Sequence, residues 1–397
     1  MTARQRAILL ICVVIFAINQ FHRASGSITT PILIEELSLT AFAVSALAAM
    51  LCVSSVIFQL PLGAALDRVG PRLLMAATTG SVAVGTAIFA LAQDYGQLML
   101  ARMLLGIGAA ASGAAISVTL AQVFAGRDFA YYQGMIVSIG GVGGLLGTYP
   151  LALMLELLPW PVVFSILSAV AAGLAIMVLR TLPDPPPAAV TDAAPVGYLS
   201  LMGVPEIRKI MVLSLVIWAP IVVLTGLWGS AYFQTVHGFG ATASGAVLFA
   251  FYLSTMVSAY GFGWLERRSA NRKRLILTAA LGSATLYGLM AAIPAPPAWA
   301  AIALMTGMIF VQQFYVPLSA HLRAAVPAEA LGRASSLMTL AGVVGISVLQ
   351  MGFGTVLDIA AAAGFAPVDA YRMGFAAVGL TVILASAVYA TARRAND

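Results

Sequence analysis

Long apolar runs, each closed by a short polar or glycine- and proline-bearing stretch, follow one another along almost the whole chain. A helix rises 1.5 Å per residue, so roughly 20 apolar residues cross about 30 Å of hydrocarbon. Twelve runs reach that length. They cover 7–29, 40–65, 73–93, 97–123, 130–154 and 160–180, then 207–234, 241–265, 274–294, 298–322, 333–358 and 371–391. None alternates apolar and polar positions as a barrel strand would. Inside lipid every backbone N–H and C=O needs an internal partner, which unbroken apolar runs find only as helices. The pattern predicts an all-α membrane protein. The first run, MTARQRAILLICVVIFAINQ, begins with basic residues as a secretory leader does. No small-x-small cleavage site follows a short apolar core, and further spans come at once, so it is read as the first transmembrane helix.

Composition sharpens this picture. The 397 residues are 61% hydrophobic and 9% charged, against roughly 25% charged in a water-soluble domain. Cys12 and Cys52 both lie inside apolar runs and are read as packing residues. The net charge of +6 follows a sidedness rule. With the N-terminus placed in the cytoplasm, 17 of the 20 basic residues fall on the cytoplasmic side, including Arg267, Arg268, Arg272, Lys273 and Arg274. Outside stands Arg372, near acids such as Glu35, Glu36, Asp94 and Asp358. An odd number of spans would scramble that bias. A multi-pass protein of the cell (inner) membrane with both termini cytoplasmic is expected.

One stretch breaks the rhythm. Thr181 to Glu206 carries Pro183, Pro185, Pro186, Pro187 and Pro195 with Asp184 and Asp192, the composition of a semi-rigid linker. Residues 1–180 are read as one six-helix bundle, 181–206 as the linker and 207–397 as a second bundle. The halves echo each other at an offset near 200 residues. Gly63-Ala-Ala-Leu-Asp67-Arg68-Val-Gly70-Pro-Arg72 follows span two, and Trp264-Leu-Glu266-Arg267-Arg268 follows span eight. An acid at a helix end beside glycine and arginines suits a charge latch that forms in one conformation and breaks in another.

These residues resemble the major facilitator superfamily, whose second and third helices are joined by Gly-x-x-x-Asp-Arg-x-Gly-x-Arg. Gly63, Asp67, Arg68, Gly70 and Arg72 match that pattern. The second copy keeps Glu266 and Arg267 but has Phe262 and Asn271 where the first glycine and last arginine would map. Arg102-x-x-x-Gly106-x-Gly108 in span four is similar to a second family pattern. The Gly140–Gly147 run resembles the helix-five motif of drug antiporters, with its proline displaced to Pro150. Pairs 140/144 and 143/147 read better as helix-packing surfaces. The resemblance implies twelve transmembrane helices in two six-helix bundles that give alternating access to a site near the bilayer midplane.

Ionisable groups inside the spans are then the functional candidates. Asn19, His22 and Arg23 stand at i, i+3 and i+4 of span one, so an amide, an imidazole and a permanent cation are expected to point together. The alternative puts the Arg23 guanidinium at the outer interface beside Glu35 and Glu36. Arg102 is a ligand contact or a structural tie between helix ends. Span seven offers Trp218, Thr225, Trp228 and Tyr232 at helical spacing, and span ten offers Gln312, Tyr315 and Ser319. The resemblance places helices one, four, seven and ten along the central cavity, which makes these stripes candidate ligand walls. Trp160, Trp299, Tyr131 and Tyr132 are read as interfacial anchors. All fourteen acids map to loops or helix ends. The arginine pair resembles the organic anion:cation symporter branch, without the carboxylates that accompany it there.

Other chemistry lacks its residues. His22, His237 and His321 are scattered, with no metal-ligand spacing, and no phosphate loop or nucleophile elbow occurs. No enzyme, metal, cofactor or nucleic-acid role is expected. The reading is a secondary active or facilitative transporter, expected as a monomer, for a small organic anion or polar solute. Arg23 is the charge partner, Asn19 and His22 assist, and membrane lipid and a coupling proton or counter-anion are further partners. Export of hydrophobic or amphipathic compounds and a transport-dead receptor or scaffold are the alternatives.

Overall fold

The computed structural model describes residues 1–124, 127–183, 201–269, 271–326 and 331–392. Most of the linker lies outside them, as do the side chains of Asp67 and Arg267. The described residues form helices and short turns. Twelve helical stretches are long and apolar enough to cross a membrane, from Ala3–Leu37 to Pro367–Ala390. Contacts divide the chain into two units, residues 1–39 with 50–191, and residues 40–49 with 192–397.

In the first unit α1 (Ala3–Leu37) starts at a capping box. Thr2 Oγ1 accepts from the Gln5 N–H, and Gln5 Oε1 accepts from the Thr2 N–H at 2.8 Å. The helix runs past the expected end at residue 29 because its polar stretch serves itself. Thr29 and Thr30 return their hydroxyls to the carbonyls of Ser25 (3.0 Å) and Gly26 (2.7 Å), so both remain buried at no polar cost. Next come α2 (Ala41–Leu91), whose first residues to 49 group with the second unit, α3 (Tyr95–Val123), the interrupted fifth span α4–α6 (Arg127–Gly140, Val142–Leu146, Tyr149–Leu157) and α7 (Trp160–Thr181). Ile8, Ile11, Cys12 and Ile15 of α1 meet Met75, Ile116, Leu120, Ile136 and Val178 in its core.

α2 contains spans two and three, joined at Gly70, whose φ of 77° and ψ of 169° belong almost to glycine alone. That is the physical content of the motif glycine. Gly63, in the same motif, has nothing within 4 Å of a built Cβ. Gly70→Ala is therefore expected to cost about 1–3 kcal/mol and to lower the melting temperature of the purified protein. Gly63→Ala should leave it unchanged or slightly raised, and equal behaviour of the two would overturn the assignment.

The second unit repeats the plan. Its seventh span consists of α8 (Pro205–Ser214), α9 (Ala219–Val223), a π-wound segment (Leu224–Trp228) and α10 (Gly229–His237). Then follow α11 (Ala241–Arg268), α12 (Arg272–Ala292), the interrupted tenth span α13–α14 (Ala298–Val311, Tyr315–Ala325), α15 (Leu331–Ala362) and α16 (Pro367–Ala390). Ile210, Leu213, Ile276, Leu318, Met338 and Val382 are among its core residues.

Two details show the internal repeat at atomic level. A Cβ built on Gly143 would lie 1.9 Å from the Ala17 carbonyl oxygen, and one on Gly345 would lie 1.6 Å from that of Leu215. Spans five and eleven thus ride on the bare backbone of spans one and seven. At the other contact, cationic side chains close the carbonyl ends of the sixth and twelfth spans. Arg4 Nε (3.2 Å) and Arg72 Nε (2.9 Å) donate to Thr181 and Leu179, while Lys209 Nζ (2.7 Å) and Lys273 Nζ donate to Thr391 and Ala392. Terminal carbonyls lack helical partners and carry the negative end of the helix dipole, so cations suit them.

Candidate functional site

Successive helical residues turn by about 100°, and this separates the three polar residues of span one. Asn19 leans on α3, its Nδ2 donating to Ser112 Oγ at 3.2 Å and to the Ile15 carbonyl at 3.0 Å. His22 is 4% exposed and turns toward α2, with Nε2 3.1 Å from Thr86 Oγ1. Thr86 gives its one hydroxyl proton to the Val82 carbonyl at 2.7 Å, which leaves it accepting from Nε2–H. Arg23 is exposed. The expectation that all three point together is corrected: the imidazole is committed inside the bundle, 100° from the guanidinium.

Arg23 lies mid-helix, about 30 Å from the start of α1 and about 21 Å from its end at 1.5 Å per residue. Glu35 is twelve residues further on, about 18 Å away, and Glu36 accepts a hydrogen bond from Trp160 Nε1 at 2.8 Å. No described side chain pairs with Arg23. Neither carboxylate is a described partner of Arg23. Trp160, read as an interfacial anchor, is buried beside Phe89 and Phe164 as well as tied to Glu36; Trp299 is 74% exposed.

Arg102 is 5% exposed. Its guanidinium lies 5.0 Å from the Phe89 ring centre and one nitrogen reaches the His22 carbonyl at 3.4 Å, while Nε has no hydrogen-bond partner among the described residues. The neighbouring glycines explain the rest of that motif. A Cβ on Gly106 would meet Ser54 and Leu51, and one on Gly108 would meet Val82, so both let α3 lie against α2. Sequence reasoning passed over Thr86, Ser112 and Phe89; small hydroxyls and a phenylalanine in apolar runs carry no local signal of what they will touch.

In the second unit the breaks have a readable cause. Pro220 lacks the N–H that would bond the carbonyl four residues back, and that carbonyl, on Val216, accepts from Gln312 Nε2 at 2.6 Å. Gln312 itself stands at the break of span ten. Trp218 and Tyr315, both half-buried, pack with ring centres 5.0 Å apart and planes tilted by 41°. The lower part of the span-seven stripe is corrected. The π-wound turn shifts the helical register, and Thr225, Trp228 and Tyr232 are 4%, 2% and 2% exposed. Trp228 stacks on Phe353, and Tyr232 packs against Tyr371 and Phe375. Ser319 returns its hydroxyl to the Val316 carbonyl at 2.7 Å.

The latch motifs are partly described. Arg68 is exposed, and Arg72 holds the end of α7. Glu266 pairs with Arg272 at 2.6 Å in its own turn. The side chains of Asp67 and Arg267 lie outside the described residues. Among the described residues no three His, Cys, Asp or Glu gather as metal ligands would.

The profile of the Major Facilitator Superfamily matches residues 9–350. A probable L-galactonate transporter of Escherichia coli (strain K12) is 27% identical over 159 residues, 40% of this chain and 35% of that one. The match thus spans about a third of that relative's length. Among solved structures, the nucleoside transporter NupG superposes with a TM-score of 0.77 at 15% identity, covering 99% of this chain and 100% of that one. A bacterial homolog of the human lysosomal transporter Spinster, inward-facing and occupied, gives 0.78 at 16% over 99% and 97%. A D-xylose-proton symporter gives 0.71 at 17% over 95% and 97%. At such identities the structural likeness establishes the fold.

Proposed function

Since the chain belongs to the major facilitator superfamily, a family of membrane transporters, we propose that it moves a small organic anion by alternating access, with a sugar acid as the passenger class. One observation carries the reading: Arg23 is a permanent cation in the interior of α1, a helix long and apolar enough to cross a membrane, and it is exposed with no counter-ion among the described residues. Such a group is costly in hydrocarbon and marks a solute path. A carboxylate gives the guanidinium a two-pronged, charge-assisted partner. Asn19, one turn back, adds an amide to the hydroxyl-recognition side. Trp218 and Tyr315 are proposed as ligand contacts of the second unit, with the buried Gln312 holding the break beside them, and Arg102 acts as a fixed positive field behind His22 rather than as a direct contact. The galactonate transporter among the relatives carries a sugar acid by name, which supports the same class.

Every described acid sits at or near a helix end or in a turn, so a carboxylate relay for protons has no carrier there. Exchange against a counter-anion, or facilitated movement, is the proposed mode, in the inner membrane with both termini cytoplasmic. The test is uptake into proteoliposomes of radiolabelled galactonate and related sugar acids, beside D-xylose and a nucleoside. Saturable uptake and counterflow of the acids alone is the expected result. Transport of the neutral sugar or the nucleoside, with the acids left outside, would overturn the proposal.

A further inference from the structure

We propose that the end of α11 binds an anionic phospholipid, with the acyl chain along one face of the helix and the headgroup phosphate between Arg268 and Arg274. Leu253, Val257, Tyr260, Trp264 and Arg268 follow one another at spacings of four, three, four and four, which keeps them on one helical face. That face is open: Leu253, Val257, Tyr260 and Trp264 are 49%, 57%, 81% and 48% exposed. Leu253 to Trp264 covers about 16 Å at 1.5 Å per residue, the depth of one leaflet's hydrocarbon. Trp264 then falls at headgroup level, where tryptophan is enriched. Arg268 stands one turn beyond, its guanidinium carbon 4.0 Å from the centre of the Trp264 ring.

The charges around it are sorted rather than diffuse. Arg272 is engaged by Glu266, and Lys273 by the Ala392 carbonyl. Arg268 and Arg274 have no described carboxylate, and both are exposed. A general excess of Lys and Arg on one membrane side asks only for their number near the span ends. It does not ask for an ordered guanidinium–indole stack at the top of an apolar strip one leaflet long. Two exposed cations without a described carboxylate, one closing α11 and one in the first turn of α12, complement a phosphodiester whose headgroup bears no cation of its own. A zwitterionic headgroup brings an ammonium that offsets the attraction. Each basic residue near an anionic surface contributes roughly fivefold, so the pair should favour the anionic lipid by roughly thirtyfold.

The inference concerns the membrane around the carrier and does not depend on what is carried. The purified full chain in detergent would be titrated with phosphatidylglycerol and with phosphatidylcholine, and retained lipid counted by native mass spectrometry. One phosphatidylglycerol held at least tenfold more tightly than phosphatidylcholine is expected. That preference should vanish in the R268Q/R274Q double variant and weaken in Trp264→Ala, while Arg180→Gln, an exposed arginine elsewhere, keeps it. Glycerol 3-phosphate at millimolar concentration should fail to displace the lipid. Equal retention of the two lipids, an unchanged double variant, an equal loss in Arg180→Gln, or displacement by free glycerol 3-phosphate would each overturn the proposal.

Discussion

Replacing Arg23 by alanine is expected to raise the half-saturation concentration for an anionic solute by about 10- to 100-fold, with little change in thermal stability. A hydrogen bond to a charged group contributes about 1.5–3 kcal/mol, and 1.4 kcal/mol is a factor of ten. Stability should hardly move because the guanidinium is exposed and makes no described contact that alanine would remove. Arg23→Lys supplies the sharper test. It keeps the charge but loses the planar fork, so it should recover part of the affinity and not all of it. Concentration-dependent uptake of a sugar acid in proteoliposomes reads both variants. Wild-type uptake in Arg23→Ala would remove the central residue of the proposal while leaving the fold and the family untouched.

The largest effect on stability is expected at Gly345. A methyl group there would lie 1.6 Å from the Leu215 carbonyl oxygen, and because the obstacle is backbone, no side chain can swing aside. The helices must separate, and overpacking of that kind costs about 1–3 kcal/mol or more. Gly352 lies in the same helix with nothing within 4 Å of a built Cβ. Its alanine variant should gain up to about 1 kcal/mol from helix propensity. Thermal melts of Gly345→Ala and Gly352→Ala should therefore move in opposite directions. Parallel shifts would mean that spans seven and eleven do not meet where described.

The twelve spans were legible because hydrocarbon tolerates so few backbone solutions. Run length and polarity alone locate the twelve spans, most of their ends to within several residues. Where the ends moved, local chemistry decided it, as with the self-satisfying threonines at the end of α1. The breaks in spans five, seven and ten were less legible, although Pro150, Pro220 and Pro317 stand in plain view. A proline announces which carbonyl it frees and says nothing of what will take it over. For Pro220 the answer, Gln312, is 92 residues away. The span-seven stripe failed for a related reason: even helical spacing was assumed across a turn that winds wider.

The candidate site divides along the same line. Arg23 and Arg102 could be singled out by cost, since charge in lipid demands a reason. Their different surroundings could not be read from the sequence. One guanidinium is open and the other rests on Phe89, a distinction set by which neighbouring helix each faces. For His22 the i, i+3 and i+4 spacing described a shared side of the helix but not the pull of Thr86.

Arg4, Arg72, Lys209 and Lys273 each button down the tail of another helix, and this changes what charge engineering would measure. Removing these cations to shift the Lys/Arg bias that sets orientation would loosen each bundle before it turned the protein over. An upside-down product and an unravelled one would then look alike in any assay that merely asks which loops a protease can reach.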